Sequence, residues 1–399
     1  MREKPRNSEI IYNMFRYILL SVFLLSASQS HIIDIGEDNE LLLTFLVNRH
    51  GERTPDSDEL ALSDQREKIL NLTYIEGSEG LTNTGKRRAF QIGKFIRQRY
   101  GSQGYHLLSD IYLQDEIALR STDKERTKMT AQMAMAALYP PVAEQQWDDG
   151  LGKVWQPVPY TAVPLKEDYL RYYSNCNRFK DLMAIAKAES LYQEFKPYEQ
   201  LIALVKMTTG KDFSEDPLQF ETLFDLFKSQ VSLGLDIPDW AKPVLAKLGE
   251  AARLAYRLYF RTDEMKRIGG GVMLNDFIQT ASAIASGRPV TKRFRMYSAH
   301  DFNIGALMEV TGISRHEQAV PEYGAIFALE LYRSKSSGEY TVLPIYVARA
   351  GESPIQKLHF ARCDTSSSHC NFDKFTNMTR DYVLPEREFY SICDIKTEL

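Results

Sequence analysis

The sequence predicts an α/β domain that is interrupted by an α-helical insertion. Residues 41–47 form a continuous apolar run, typical of a strand buried on both faces of a sheet. The middle of the chain, residues 141–265, opens with a proline-rich loop and continues in helical patterns with few strand signals. Strand patterns return towards the C-terminus. The order of the elements along the chain is strands and helices, then helices alone, then strands again. This order predicts one sheet domain with a helical insertion.

Two helices are predicted between the first strand and the insertion. The first spans residues 80–100, with Thr82 or Thr84 as its N-cap. Its apolar side is marked by the following residues: Phe90, Ile92, Phe95 and Ile96. The second spans residues 127–138 and ends before two prolines.

The C-terminal part supplies the remaining sheet elements. Residues 293–298 predict a strand, and a helix over residues 303–309 follows it. Residues 325–332 and 340–347 predict two strands joined by a Ser-Ser-Gly turn. The predicted sheet domain therefore comprises residues 38–140 and 266–399, on either side of the insertion.

The N-terminal 30 residues predict a secretory signal peptide. Basic residues precede a nine-residue apolar run at 17–25, and small residues follow it. Asn71 and Asn377 begin N-glycosylation sequons. We therefore predict a secreted or lysosome-like luminal protein. Retention in the endoplasmic reticulum is the alternative, because the chain ends in Lys396-Thr397-Glu398-Leu399, which is close to the KDEL type of signal.

Composition narrows the class of partner. The formal net charge of −4 gives no global sign of binding to nucleic acid or to an anionic membrane. After the predicted signal peptide, no apolar run of about 18 residues suggests a transmembrane anchor. Four cysteines allow three pairings, and in an oxidising lumen we expect two disulfides.

The segment after the first strand carries the chemistry. Arg49 and Arg53 flank His50 at the end of the buried run, and ligands of open α/β sheets bind beyond that edge. Guanidinium groups match phosphate oxygens through charge-assisted hydrogen bonds. A histidine between them can attack phosphorus through a ring nitrogen. Gly51 is expected to let the backbone turn sharply and approach a ligand.

This segment, Arg-His-Gly-Glu-Arg-Thr-Pro, resembles the RHGxRxP signature of the histidine acid phosphatases, a branch of the histidine phosphatase superfamily. Residues 120–127 resemble the second block of the family, and His300-Asp301 resembles its distal His-Asp pair. The similarity extends over nearly the whole chain after the signal segment and favours the prostatic, lysosomal and venom acid phosphatases. It implies a three-layer α/β/α, phosphoglycerate mutase-like sheet domain.

The resemblance also implies a role for each matching residue. His50 would form a transient phosphohistidine, and Asp301 would protonate the leaving group. The residues expected to bind the phosphoryl oxygens are Arg49, Arg53, Arg120 and His300. Asp123 and Arg126 are expected to be structural, holding the loop of Arg120. No metal and no other cofactor is implied, because the arginines supply the positive charge.

The function predicted in this way is that of an acid phosphatase acting on a small phosphomonoester or a phosphopeptide. The resemblance implies disulfides Cys176–Cys393 and Cys363–Cys370, and a possible homodimer. Three alternatives remain: a mutase-like transfer, a secreted binding protein with an inactive site, and a phytase. The His-Asp pair argues against the first, and the complete set of catalytic residues argues against the second. Phytate would favour a strongly basic pocket, which the sequence does not show.

Overall fold

A computed structural model describes residues 38–313, 320–363 and 367–396. The predicted signal peptide and residues 397–399 of the retention-like ending lie outside this range. The described residues contain one eight-stranded sheet. Its strands are β1 (Asn39–Arg49), β2 (Ile117–Thr122), β3 (Thr161–Val163), β4 (Phe294–Ala299), β5 (Ile326–Ser334), β6 (Tyr340–Val347), β7 (Ile355–Lys357) and β8 (Cys370–Asn371).

The sheet is parallel on one side and antiparallel on the other. Its order is β3-β2-β4-β1-β5-β6-β7, with β8 paired to β6. Strands β1 to β4 run parallel to their neighbours within this group. From β1 onward to β5, β6, β7 and β8, the pairing is antiparallel. Strands β1 and β4 therefore end at the same edge of the sheet.

Helices cover both faces of the sheet and form most of the middle of the chain. They are α1 (Ser57–Leu60), α2 (Arg66–Leu72), α3 (Asn83–Tyr100), α4 (Glu125–Leu138), α5 (Tyr172–Asn175), α6 (Asn177–Gln193), α7 (Glu199–Thr209), α8 (Gln219–Ser232), α9 (Leu245–Arg257), α10 (Asp263–Ala285), α11 (Asp301–Thr311), α12 (Phe372–Thr379) and α13 (Glu386–Ile392).

Strand β1 is buried on both faces, as its uninterrupted apolar run predicts. Leu46 belongs to a buried cluster that includes residues of α3 and α4, such as Ile92. Phe45 faces the other way and contacts Phe277 of α10, with ring centroids 6.3 Å apart. The chain thus has a central sheet between two helical layers, and the predicted fold class is confirmed.

Helix α3 shows where sequence patterns were sufficient and where they were not. Thr82 is the N-cap, because its side chain accepts a hydrogen bond from the backbone N–H of Gly85. Ile92, Phe95 and Ile96 are buried, but Phe90 is 38% exposed. The prediction for Phe90 was wrong, because two residues turn a helix by about 200° and so place Phe90 opposite Ile92.

The middle of the chain is helical from α5 to α9, within the predicted insertion. Strand β3 also lies within residues 141–265, but it pairs with β2 and extends the sheet. Phe45 of the sheet and Phe220 of α8 belong to one continuous buried cluster. The domain boundaries therefore stay a prediction.

The described residues contain two disulfides, of which one joins distant parts of the chain and the other closes a short loop. Cys176, between α5 and α6, pairs with Cys393 at the end of α13. Cys363 pairs with Cys370 in β8. These are the two pairs that the family resemblance implies, and the first attaches the helical region to the C-terminus.

The surface features bear on the predicted location. Asn71 in α2 and Asn377 in α12 are both exposed, but glycosylation of either stays a prediction. Within the described ranges, none of the helices combines the length and the apolarity that a bilayer crossing requires.

Candidate active site

A cavity of about 390 Å³ opens where the parallel strands end. Arg49 is the last residue of β1, and His300 follows the last residue of β4. Both line the cavity together with His50, Arg53 and Asp301. Five of the six residues predicted from the sequence are thereby brought into one site from two segments about 250 positions apart.

His50 lies on the floor of the cavity with only 2% of its surface exposed. Its Nδ1 is 2.8 Å from the carbonyl oxygen of Gly51, which can only accept, so Nδ1 carries the proton in the neutral ring. Nε2 is then unprotonated, and its lone pair accepts a hydrogen bond from Arg126 Nε over 3.0 Å. Burial and then the charge of Arg126 lower the pKa of His50 well below 6.5.

Gly51 permits a close backbone contact. A Cβ at this position would collide with the carbonyl of Gly85, near the start of α3. The φ angle of Gly51 is not in the left-handed region. Close packing against α3, rather than a sharp turn, therefore requires glycine here.

Arg49 is held from several sides. One terminal nitrogen, Nη1, donates to the carbonyl of Pro321 over 2.8 Å. The other, Nη2, lies 3.0 Å from both Asp225 and Asp301, and the guanidinium stacks on the ring of Tyr323. Burial works against its charge, but Asp301 and Asp225 raise the pKa of Arg49. It is a fixed positive charge beside His50.

Arg53 is fixed by a bidentate ion pair. Its two terminal nitrogens donate to the carboxylate of Glu59 over 2.7 and 2.6 Å. Glu59 also accepts from the backbone N–H of Asp56 and completes the capping box of α1. The short helix α1 therefore orients Arg53 towards the cavity.

Arg126 lies in the first turn of α4, which begins just beyond the sheet edge. Besides His50, it contacts Glu79 through Nη1 over 3.1 Å, and Lys124 binds the same carboxylate over 2.8 Å. Glu79 has φ of 59°, in the left-handed region that is uncommon for residues other than glycine. Uncommon backbone conformations of this kind are enriched at functional sites, and here the residue that adopts one pairs with Arg126.

His300 and Asp301 connect β4 to α11. Thr122 Oγ1 is 3.1 Å from His300 Nε2, and burial followed by the charge of Arg126 lowers the pKa of His300. Asp301 is the first residue of α11, and its Oδ1 accepts from the backbone N–H of Phe302. Its Oδ2 contacts Arg49, so Asp301 lies against the same wall of the cavity.

Helix α8 contributes two further carboxylates to this wall. Carboxylate oxygens of Glu221, Asp225 and Asp301 lie within 4.8 Å of one another. Burial alone would raise the pKa of Asp225, but Arg49 and Lys228 outweigh it and hold the pKa near 2. Burial, Asp301 and Asp225 raise the pKa of Glu221 well above 4.5. The wall beside Asp301 is therefore acidic.

Comparison with known proteins agrees with this geometry. The family model of the histidine phosphatase superfamily, branch 2, matches residues 40–346. The chain belongs to that family. It is 28% identical over 364 residues to venom acid phosphatase Acph-1 of Apis mellifera, covering 90% of this chain and 89% of the relative. It is 29% identical over 354 residues to human prostatic acid phosphatase, covering 87% of this chain and 86% of that protein. It is thus a histidine acid phosphatase and hydrolyses phosphate monoesters.

Solved structures support the fold of this histidine acid phosphatase. The phytase of Klebsiella sp ASR1 superposes with a TM-score of 0.65 at 18% identity, covering 89% of this chain and 96% of the other. Hafnia alvei phytase in complex with tartrate gives the same TM-score at 16% identity, covering 88% and 99%. At these identities, the likeness concerns the fold alone.

The geometry of the phosphatase places one of the six predicted residues outside the cavity. Arg120 is not part of the cavity lining. Its Nη2 donates to Asp168 over 2.7 Å, and its guanidinium stacks 4.0 Å from the ring centroid of Tyr169. Arg126, expected to be structural, is the arginine that contacts His50. The two arginines exchange the positions that the sequence suggested for them.

Proposed function

We propose that this histidine acid phosphatase acts through a phosphohistidine on His50, with Asp301 as the proton donor. The observation that carries the proposal is the unprotonated Nε2 of a buried, neutral His50, in a cavity whose lining includes Arg49, Arg53 and Arg126. A neutral imidazole is the nucleophilic form, and the arginines provide positive charge where phosphoryl oxygens would lie.

The reaction would proceed in two displacements. His50 Nε2 forms a bond to phosphorus while the bond from phosphorus to the ester oxygen breaks, and Asp301 gives its proton to that oxygen. The Asp301 carboxylate then takes a proton from water as the water attacks the phosphohistidine. The P–N bond breaks, inorganic phosphate leaves, and both residues return to their initial states.

Arg49, Arg53 and Arg126 would stabilise the charge on the phosphoryl oxygens in both displacements. His300 lies beside them in the cavity and would donate to the same group. We assign the third guanidinium contact to Arg126 in place of Arg120, because only Arg126 lines the cavity and contacts His50. Arg120 would act as a structural residue that anchors Asp168.

The low pKa of His50 predicts how the rate depends on pH. Because burial and Arg126 keep the ring neutral as pH falls through 6.5, activity should persist in mild acid. We expect kcat/KM for p-nitrophenyl phosphate to show no acidic loss from protonation of His50 between about pH 7 and pH 5, after correction for the substrate phosphate, whose second pKa is about 6. A remaining loss of activity centred near pH 6.5 would mean that His50 titrates normally.

Asp301→Asn tests the proton donor. The variant should lose roughly 10²- to 10⁴-fold in kcat on alkyl phosphates, whose alkoxide leaves poorly without a proton. It should lose far less on p-nitrophenyl phosphate, since p-nitrophenolate needs little protonation. The measurement is kcat for both esters with wild type and variant. Equal losses on the two substrates would remove Asp301 from the acid role.

We also propose that the protein works in the secretory pathway, secreted or in a lysosome-like lumen. Two closed disulfides support an oxidising compartment. Cleavage of the signal peptide, glycosylation at Asn71 and Asn377, and a homodimer belong to this proposal. The proposed chemistry requires no metal or other cofactor, because arginines neutralise the transferred phosphoryl group.

A further inference from the structure

We infer that the cavity selects monoesters whose alcohol carries a positive charge close to the ester oxygen, and that Glu221 recognises this charge. The inference rests on the proposed function, because it takes the leaving group to lie beside Asp301. It names the substrate class as ammonium-bearing alkyl phosphates.

The charge balance of the lining is the first observation. Seven carboxylates and four arginines line the cavity. The lining around the site for the phosphate group is therefore negatively charged overall. This charge disfavours substrates that carry several phosphates, and it favours substrates that carry a positive charge close to their single phosphate.

Glu221 is the carboxylate of this acidic wall that no cation neutralises by contact. Asp225 lies 3.0 Å from Arg49 and 3.5 Å from Lys228, and Asp301 lies 3.0 Å from Arg49. Among the described residues, none forms a hydrogen bond or an ion pair with the side-chain carboxylate of Glu221. One uncompensated carboxylate matches a single positive charge. A divalent metal would need Asp225 and Asp301 as well, and Arg49 already occupies them.

Aromatic rings provide the second half of the binding region. Tyr173, Tyr259 and Phe302 line the same cavity as Glu221. Phe302 lies between the other two, with ring centroids 4.0 Å from Tyr259 and 5.1 Å from Tyr173. Each ring is partly exposed, so π-surface and a carboxylate meet on one side of the cavity. Aromatic rings of this kind attract ammonium groups, including quaternary ones.

The distance between Asp301 and Glu221 sets the length of the alcohol. An ester oxygen that receives the proton of Asp301 lies in hydrogen-bond contact with that carboxylate. Glu221 offers an oxygen within 4.8 Å of the Asp301 carboxylate. A spacer of two carbons between ester oxygen and nitrogen bridges this gap, so phosphocholine and phosphoethanolamine are the simplest matching probes.

The surroundings of Glu221 add a pH dependence. Burial and the charges of Asp301 and Asp225 raise the pKa of Glu221, while Arg49 and Lys228 oppose them. A bound cation stabilises the ionised carboxylate and lowers this pKa. The preference for a cationic alcohol should therefore be stronger at about pH 7 than at about pH 5, where more Glu221 is protonated before binding.

The test compares phosphocholine with 3,3-dimethylbutyl phosphate, which has the same shape and no positive charge. For the wild-type protein we expect kcat/KM to be at least about tenfold higher for phosphocholine. In Glu221→Gln the ratio of the two values should fall to about one. Glu250→Gln is the matched control, because Glu250 is an exposed carboxylate of α9 that does not line the cavity, and this variant should keep the wild-type ratio.

The ratio separates the possible failures. Hydrolysis of both esters at equal efficiency by the wild type would overturn the inference and leave the proposed function standing, and this result does not depend on whether the variant folds. The role of Glu221 would be refuted if Glu221→Gln kept the wild-type preference, or if the control Glu250→Gln lost the preference to the same extent. Hydrolysis of neither ester, nor of p-nitrophenyl phosphate, would refute the proposed function itself.

Discussion

His50→Asn should lose roughly a thousandfold or more in kcat on p-nitrophenyl phosphate, because removing a covalent nucleophile removes the reaction path that the rest of the site supports. The ring of His50 is buried, with its Nε2 lone pair in contact with Arg126. Asparagine keeps a polar side chain but has no ring nitrogen that can attack phosphorus. The measurement is steady-state kcat with enzyme that shows the wild-type thermal transition.

A matched substitution separates the loss of the nucleophile from a general effect. His106 is exposed and has φ of 55°, a conformation that asparagine tolerates. His106→Asn should therefore keep wild-type kcat. A His50→Asn enzyme with more than about a tenth of wild-type activity would contradict a nucleophilic role for His50, since that loss is too small for a missing nucleophile.

Arg126→Ala should lower kcat/KM by roughly 10²- to 10³-fold, the usual effect of removing one preorganised donor from a charged transition state. It should also raise the pKa of His50, because Arg126 is the largest charge effect that lowers it. The acidic limb of the pH–rate profile should move to higher pH. A variant that lost activity only through misfolding would not show this shift.

Arg120→Ala is the control for Arg126. Arg120 pairs with Asp168. Burial raises the pKa of Asp168 to about 6, although the charge of Arg120 opposes this rise. Removing Arg120 leaves this carboxylate buried and unpaired, so stability should fall by about 3 kcal/mol. kcat/KM of the folded fraction should change little. A larger catalytic loss in Arg120→Ala than in Arg126→Ala would restore the assignment suggested by the sequence.

The sequence was most informative where a site residue lies next to a strand with a clear pattern. The apolar run predicts where β1 ends and therefore that Arg49, His50 and Arg53 lie at the carboxyl edge of the sheet. Ligands bind at this edge of parallel strands. His300 and Asp301 follow β4 in the same way. The sheet rule therefore indicates where these five residues lie, whereas the resemblance to the histidine acid phosphatases implies their roles and selects His300 and Asp301.

The exchange of Arg120 and Arg126 has a geometric cause. Arg120 lies within β2, two residues before the strand ends, and so about 7 Å from the sheet edge. Arg126 lies beyond the end of the strand, in the first turn of α4, at the edge itself. Both arginines flank the same short motif. If the arginine beyond the end of the strand is preferred as the phosphate-binding residue, Arg126 is selected instead of Arg120.

The acidic wall could not be predicted from local patterns. Glu221 and Asp225 lie one helical turn apart in α8, within a helix whose sequence is typical of an ordinary half-buried surface. They reach the cavity only because α8 packs beside Arg49. The side of the cavity that would contact the leaving group thus depends on tertiary packing. This side is also the part of the site that would select the alcohol of the substrate.

Trapping the covalent intermediate tests the central claim most directly. Enzyme mixed with radiolabelled p-nitrophenyl phosphate and quenched in alkali should carry phosphate on the peptide that contains His50, in a bond that is stable to base and labile to acid. The label should be absent from His50→Asn. Turnover with no labelled protein at any quench time, or with the label on another residue, would contradict the phosphohistidine mechanism.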